Sequence, residues 1–479
     1  MKNLLIPAML PALLAAIFTP ATANASSIDK IQTVVVIYGE NRSFDNLYGM
    51  FPGANGIGKA FEEHNYIQVD LQGKPLPYLP PVWDKPGVAN KDVPSGLPNM
   101  PFSFDAAPIN QGLNKATGDL VHRFYQNQMQ IDGGKNDHFA AISDAGSLTM
   151  SHYDGSTLPM WKIAQQYTLA DHFFMGAFGG SFLNHMWLAC ACTPQFKDAP
   201  ESMRAKLDAN GQLLLKPGSP ASPLDGAPLF QDGSVTPDGF GVNTLQAPYQ
   251  PSAIPPADNP ALADVNKHPL PPQTQTTIGD TLSQKNVSWK WYAGGWNAAI
   301  ADRKQIYGGE IKFQVHHQPF NYFSRFAPGT KDRAEHLKDG QEFVTDIEKG
   351  RLPQVSFYKP QGGLNEHPGD GDVMTGDQHI AGLVKKLQAS PQWKNMLIIV
   401  TYDENGGFWD HVAPPKGDRW GPGNRIPAII ISPYAKRAYV DSTPYDTTSI
   451  LKFITKRFNL TPLAGVRESA GDLTGALQN

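Results

Sequence analysis

The sequence predicts an α/β fold, a three-layer sandwich of helices around a mostly parallel central sheet, from three continuous apolar runs and the helical patterns between and after them. The runs are 33–38 (TVVVIY), 396–402 (MLIIVTY) and 426–432 (IPAIIIS). None of them alternates apolar with polar residues, which is how a parallel strand reads when helices cover both faces of its sheet. Ile380, Leu383, Val384 and Leu387 recur at helical spacing, and Thr375 with Gln378 has the spacing of a capping box for that helix. A second helix is expected over 447–458, near the C-terminus. Strands alternating with helices point to one enlarged sandwich.

The chain opens with Met-Lys and an apolar run over 4–18, ending in Ala23-Asn24-Ala25. This is the layout of a cleavable secretory signal over 1–25, and the run is short of the roughly 20 apolar residues that a membrane span needs. No twin arginine precedes it, so the general secretory route is expected, with a periplasmic or secreted product and no stable membrane span. Loss of Lys2 takes the formal charge from -4 to about -5, which is too balanced for nucleic-acid binding.

A mature chain of about 450 residues exceeds the usual single-domain size, and the reading is one catalytic domain over 26–479 carrying insertions. Pro-rich texture marks the insertions at about 73–108 and 194–272, and candidate site residues lie on both sides of each. Cys190 and Cys192 are the only cysteines. They exclude a disulfide scaffold, and whether they bridge each other stays open.

In open α/β sheets, ligands gather at the carboxyl ends of strands. The first run leads into Glu40-Asn41-Arg42-Ser43-Phe44-Asp45, and the second into Asp403-Glu404-Asn405-Gly406-Gly407-Phe408-Trp409-Asp410-His411. Either cluster alone reads equally well as turns and helix caps. Adjacent strand ends would crowd Glu40, Asp403 and Glu404, and crowded carboxylates need a cation or shared protons. Oxygen ligands suit one divalent ion, Ca, Mg, Mn or Zn.

Gly179-Gly180-Ser181-Phe182-Leu183-Asn184-His185 supplies a nucleophile candidate. Two glycines permit a sharp turn, and Ser181 would then open a helix whose free amides and dipole favour a phosphate oxyanion. A serine that merely caps a buried helix is the bland alternative. His122, His138, His316, His317 and His367 lie in polar surroundings, where several can converge on one oxyanion. Gly369-Asp370-Gly371-Asp372 has a calcium-loop flavour but lacks the spacing of an EF-hand.

The segments from Glu40 to Asp45 and from Asp403 to Val412 resemble signature segments of the bacterial acid phosphatase and phospholipase C phosphoesterase family, and the likeness continues over Gly423-Asn424-Arg425-Ile426-Pro427. Gly180-Ser181-Phe182-Leu183-Asn184-His185 is closer to the secreted acid phosphatases, because many phospholipase C relatives resemble a Thr-x-Pro-Asn-Arg pattern there. The resemblance implies an alkaline-phosphatase-like core and Ser181 as the phosphorylated nucleophile. It also implies a metal held by Glu40, Asn41, Ser181, Asp403 and Glu404. His122, His317 and His367, with Asn41 and Asn184, would contact the phosphoryl oxygens, and His316 can trade places with His317.

The expected activity is hydrolysis of phosphate monoesters through a phosphoserine, with His367 protonating the leaving group and an acidic rate optimum. One rival is a phospholipase C type diesterase on phosphocholine lipids, with Trp289, Trp291 and Trp296 caging the ammonium. Another is a non-catalytic exported metal-binding protein. The natural substrate and the oligomeric state stay open at this level.

Overall fold

A continuous run of β-branched residues leaves a strand no polar face to show to water, and Thr33–Gly39 (β1) is accordingly buried along its whole length. The computed structural model describes Met1 and residues 26–85 and 87–478; the expected secretory signal over 1–25 lies outside the described residues apart from Met1. Seven further strands join β1: Thr168–Ala170 (β2), Trp289–Ala293 (β3), Leu337–Asp339 (β4), Val355–Lys359 (β5), Met396–Tyr402 (β6), Ala428–Ile431 (β7) and Tyr439–Asp441 (β8). Their order across the sheet is β8-β2-β7-β6-β1-β5-β3-β4.

β6, β1, β5, β3 and β4 run parallel to one another, whereas β7 pairs antiparallel with both β6 and β2. The α/β class and the mostly parallel sheet are therefore observed, but the third apolar run is a correction. It was expected to be parallel, and burial on both faces writes the same apolar sequence whichever way a strand points. Because β7 is reversed, its start rather than its end lies beside the end of β6, which brings Asn424 and Arg425 to the same edge as Asp403.

Four helices matter for the site. Phe44–Tyr48 (α1) is capped by Ser43, whose side chain accepts from the Asn46 amide. Ser181–Cys190 (α2) starts at the predicted serine and is buried throughout. Val373–Ala389 (α3) is capped by Asp372 rather than by Thr375 as expected. The Asp372 carboxylate takes both the Thr375 amide and the Thr375 hydroxyl at 2.8 Å, so an ionised acceptor three residues earlier outcompetes the hydroxyl. Asp370, its partner in the calcium-loop reading, accepts from Gln314 at 3.2 Å and faces Lys312 at 3.7 Å. Thr447–Phe458 (α4) matches the expected span, capped by Asp446 with Ser449 completing a box.

From 194 to 272 the chain forms isolated bridges and two single 3₁₀ turns, Glu201–Met203 and Val265–Lys267. This excursion is tied to the body through the Asn243 side-chain carbonyl, which accepts from the Phe124 amide at 2.9 Å, and through Arg123 against Asp232. Cys190 and Cys192, left open by the sequence, form a disulfide at the end of α2. Among the described residues no helix is long and apolar enough to cross a membrane.

Candidate active site

Strand order decides which side chains meet. β5 and β6 flank β1, so Lys359, Glu40 and Asp403 stand side by side where these three strands end. The chain leaves β1 through Asn41, whose φ of 61° is left-handed, a conformation that asparagine tolerates better than most residues. The Asn41 amide then donates to Asp403 Oδ1 at 3.0 Å.

After β6 the chain turns equally sharply. Gly406 has φ 61°, and a Cβ there would lie 2.4 Å from the Asn41 carbonyl oxygen, so no larger side chain fits. The Gly406 amide in turn donates to Glu404 Oε2 and fixes that carboxyl.

Ser181 arrives from the other side, as the first residue of α2. Gly179 before it has φ 91°, and a Cβ there would meet the Phe124 amide nitrogen at 2.6 Å. The cap residue Gly180 has no side chain, so no cap spends the free amides of the first turn. Ser181 Oγ lies 3.2 Å from Asn41 Oδ1 and 3.1 Å from Glu404 Oε1. With one proton, the hydroxyl donates to one of these acceptors at a time.

Two adjoining groups result. Ser181, Asn41, Glu404 and His122 form the first, with His122 Nε2 at 3.6 Å from Glu404 Oε1 and 3.5 Å from Asn41 Nδ2. Glu40, Asp403, Lys359, His317 and Asn365 form the second. His317 Nε2 is 3.1 Å from Glu40 Oε1, and the Asn365 amide donates to Glu40 Oε2. Asp403 joins the groups, since its Oδ1 also accepts from the Glu404 amide at 2.8 Å.

Burial opposes ionisation of Glu40, yet His317 and Lys359 outweigh it and hold its carboxyl well below the usual range. Glu404 goes the other way: burial pushes it up to about 8, with Asp403 adding to the rise against His122. Burial also works against a charged His122, but Glu404 and Asp119 prevail and raise it to about 9. Ser181, Asn41 and Glu404 thus present oxygens to one point, and one of them is a carboxyl whose ionisation is opposed by burial and by Asp403. This donor set fits a hard divalent cation.

A cavity of about 280 Å³ opens over Ser181, walled by His122, His316 and His367 with Asn243, Thr244 and Gln314. Asp119, His122 and His367 form one group of side chains able to hold an ion, and Glu40, His316 and His317 form another. The resemblance left His316 and His317 interchangeable. The structure puts His316 on the cavity wall, both of its ring nitrogens lacking partners among the described residues, and turns His317 down onto Glu40.

Asn184 also differs from its expected place. Its amide donates to the Ala177 and Gly180 carbonyls at 3.1 and 3.2 Å and accepts from the Ala177 amide at 2.9 Å. Its hydrogens are spent on the turn that delivers Ser181, not turned toward a phosphate. His138 lies elsewhere, 2.7 Å from Asp137. Asp45, Asp410 and His411, from the two signature segments, close a separate buried network on Arg425.

Trp289, Trp291 and Trp296 are buried in the core, away from the walls of the cavity over Ser181. Trp291 instead donates its indole N–H to the His317 carbonyl at 2.7 Å. The residue that sequence reading missed at this site is Lys359, buried between Glu40 and Asp403. It ends a five-residue strand, VSFYK, whose mixed polarity hides a fully buried position.

Comparison with known proteins gives the family of the chain. The model of the Phosphoesterase family matches residues 31–461. Phospholipase C B of Mycobacterium tuberculosis is 25% identical over 464 residues, covering 90% of this chain and 74% of that protein. The non-hemolytic phospholipase C of Burkholderia pseudomallei is 25% identical over 525 residues, covering 97% of this chain and 61% of its own length. A protein of the alkaline phosphatase superfamily from Vibrio parahaemolyticus, of solved structure, aligns with TM-score 0.34 and 11% identity over 76% of this chain and 72% of that one.

Proposed function

Because the chain belongs to the Phosphoesterase family, we propose that it hydrolyses phosphate monoesters through a phosphoserine formed on Ser181, as an exported acid phosphatase acting in the periplasm or outside the cell. The observation that carries this reading is the Ser181 hydroxyl at a helix N-terminus, within 3.2 Å of both Asn41 and Glu404, under a cavity walled by three histidines.

Glu40, Asn41, Ser181, Asp403 and Glu404 would hold the metal. Bound there, a divalent cation lowers the proton affinity of the Ser181 hydroxyl and draws charge from a phosphoryl oxygen. The remaining work falls to the protein. The amides opening α2 face the phosphoryl oxygens along the helix dipole. His122, against the Gly180 cap, holds its proton and supplies a positive donor beside those amides. Asn41 fixes the serine from below.

As the Ser181 oxygen, its proton given up to solvent through the cavity, bonds to phosphorus, the bond to the leaving oxygen breaks and His367 gives that oxygen a proton, which it regains from the water of the next step. Water then attacks the phosphoserine, releasing phosphate and restoring the hydroxyl.

A second reading has its own support: the similar proteins named above are phospholipases C, which favours a diesterase on phosphocholine lipids with the same nucleophile. Release of phosphate from a simple monoester, set against release of phosphocholine from a phosphatidylcholine, separates the two. The monoester reading requires the first to exceed the second by at least tenfold in kcat/KM. A non-catalytic metal-binding protein would release neither.

A further inference from the structure

Three carboxylates are buried where β1 and β6 end, and one ammonium is buried with them. Lys359 Nζ lies 3.3 Å from Asp403 Oδ2 and 3.4 Å from Glu40 Oε2, and donates to the Gly39 carbonyl at 2.9 Å. Its side chain is 0% exposed, and the ring of Tyr38 covers it at 5.3 Å. A lysine is almost never fully buried without paired charge, and losing one partner of such a group leaves the others uncompensated. Glu40, Asp403 and Glu404 carry three negative charges when ionised. Lys359 offsets one of them beside Glu40 and Asp403, while His122 faces Glu404 at 3.6 Å.

We infer that Lys359 is a resident counter-cation of this centre, a positioning residue that holds Glu40 and Asp403 in place before any metal arrives and then repels the ion for which they are prepared. The inference rests on the metal reading above. It has a consequence that a purely structural lysine lacks. Removing a scaffold residue weakens metal binding, whereas removing a neighbouring positive charge strengthens it, because like charges a few ångströms apart repel strongly in a buried site.

The test measures Mn²⁺ binding to the metal-free full chain by calorimetry and thermal unfolding without metal, for the parent, Lys359→Met and the charge-restored double variant Lys359→Met/Glu40→Gln. The parent binds one Mn²⁺ per chain. Lys359→Met unfolds at a lower temperature without metal and binds Mn²⁺ at least tenfold more tightly. The double variant regains most of the lost melting temperature. Unchanged or weaker Mn²⁺ binding by Lys359→Met overturns the inference. If that variant does not fold, the double variant decides: folding with near-parental melting supports the charge account, and failure to fold overturns it. A parent that binds no Mn²⁺ defeats the metal reading instead, and the metal-free melting of the two variants still reads the role of Lys359 apart from it.

Discussion

Ser181 Oγ lies 3.1 Å from Glu404 Oε1, across 223 positions of sequence. Neither side chain is poised without the other. Glu404 is a buried carboxyl pushed up to about 8, and Ser181 is a hydroxyl within reach of Glu404 and Asn41. The pair marks where a cation would convert a neutral hydroxyl and a protonated acid into a nucleophile and a ligand.

Ser181→Ala removes one oxygen from this point and should leave the packing of α2 intact. Turnover of p-nitrophenyl phosphate is expected to fall by about 10³-fold or more, with circular dichroism and melting close to the parent. Retention of activity within tenfold would take the serine out of the chemistry.

Removal of metal should abolish turnover and lower the melting temperature, because Glu40, Asp403 and Glu404 lose their common counter-charge. Dialysis against a chelator, followed by stepwise return of Mg²⁺, Ca²⁺, Mn²⁺ or Zn²⁺, identifies the ion by recovery of both signals. Full activity after exhaustive chelation would exclude the metal reading.

Asn184→Ala deletes three hydrogen bonds within the turn preceding Ser181 and strands the buried amide and carbonyl of Ala177. A stability loss of about 2 kcal/mol is expected from the unsatisfied groups, with kcat falling about tenfold while KM changes little, since the serine loses its aim rather than the substrate its contacts. Urea unfolding and steady-state kinetics check the two parts separately. A KM effect larger than the kcat effect would return Asn184 to a phosphate-binding role.

Two pH responses follow from buried groups. Burial raises the Asp377 carboxyl to about 7, against the pull of the Met160 amide on its Oδ1. The unfolded chain therefore gives up this proton first, and stability is lost as pH rises from the ordinary carboxylate range toward 7. Asp377→Asn keeps the Met160 contact and should flatten the urea midpoint over that window. An unchanged slope would show that Asp377 is already ionised in the folded protein.

His122 holds its proton up to about 9 in the metal-free site, and a cation beside Glu404 would draw that value down. The rate should accordingly decline along an alkaline limb at or below pH 9, and the expectation of an optimum below about pH 8 stands with it. His122→Gln should lower kcat/KM by about 10–100-fold and remove that limb from the pH profile. A limb that persists in the variant would assign it to another group.

The sequence by itself determined the class of fold and nominated the candidate reacting groups at the strand ends and at Ser181. Short apolar runs that end in polar clusters read as strands covered on both faces, and the Gly-Gly-Ser turn followed by an apolar stretch marks the start of α2 where Ser181 is found. The polar residues after 39 and 402 are legible as strand ends because the apolar pattern stops there. Tertiary structure decided strand direction, partners and aim. A doubly covered strand such as β7 carries no sign of its direction. Which of His316 and His317 faces the cavity depends on a single 3₁₀ turn, Val315–His317, and on Trp291 holding its carbonyl. Lys359 was illegible for the same reason: a lysine at the end of a short strand reads as exposed until β1, on its way to Glu40, is laid between it and Asp403. Local pattern records how deeply a residue is buried, while the charge it meets there is set by chains that arrive from hundreds of positions away.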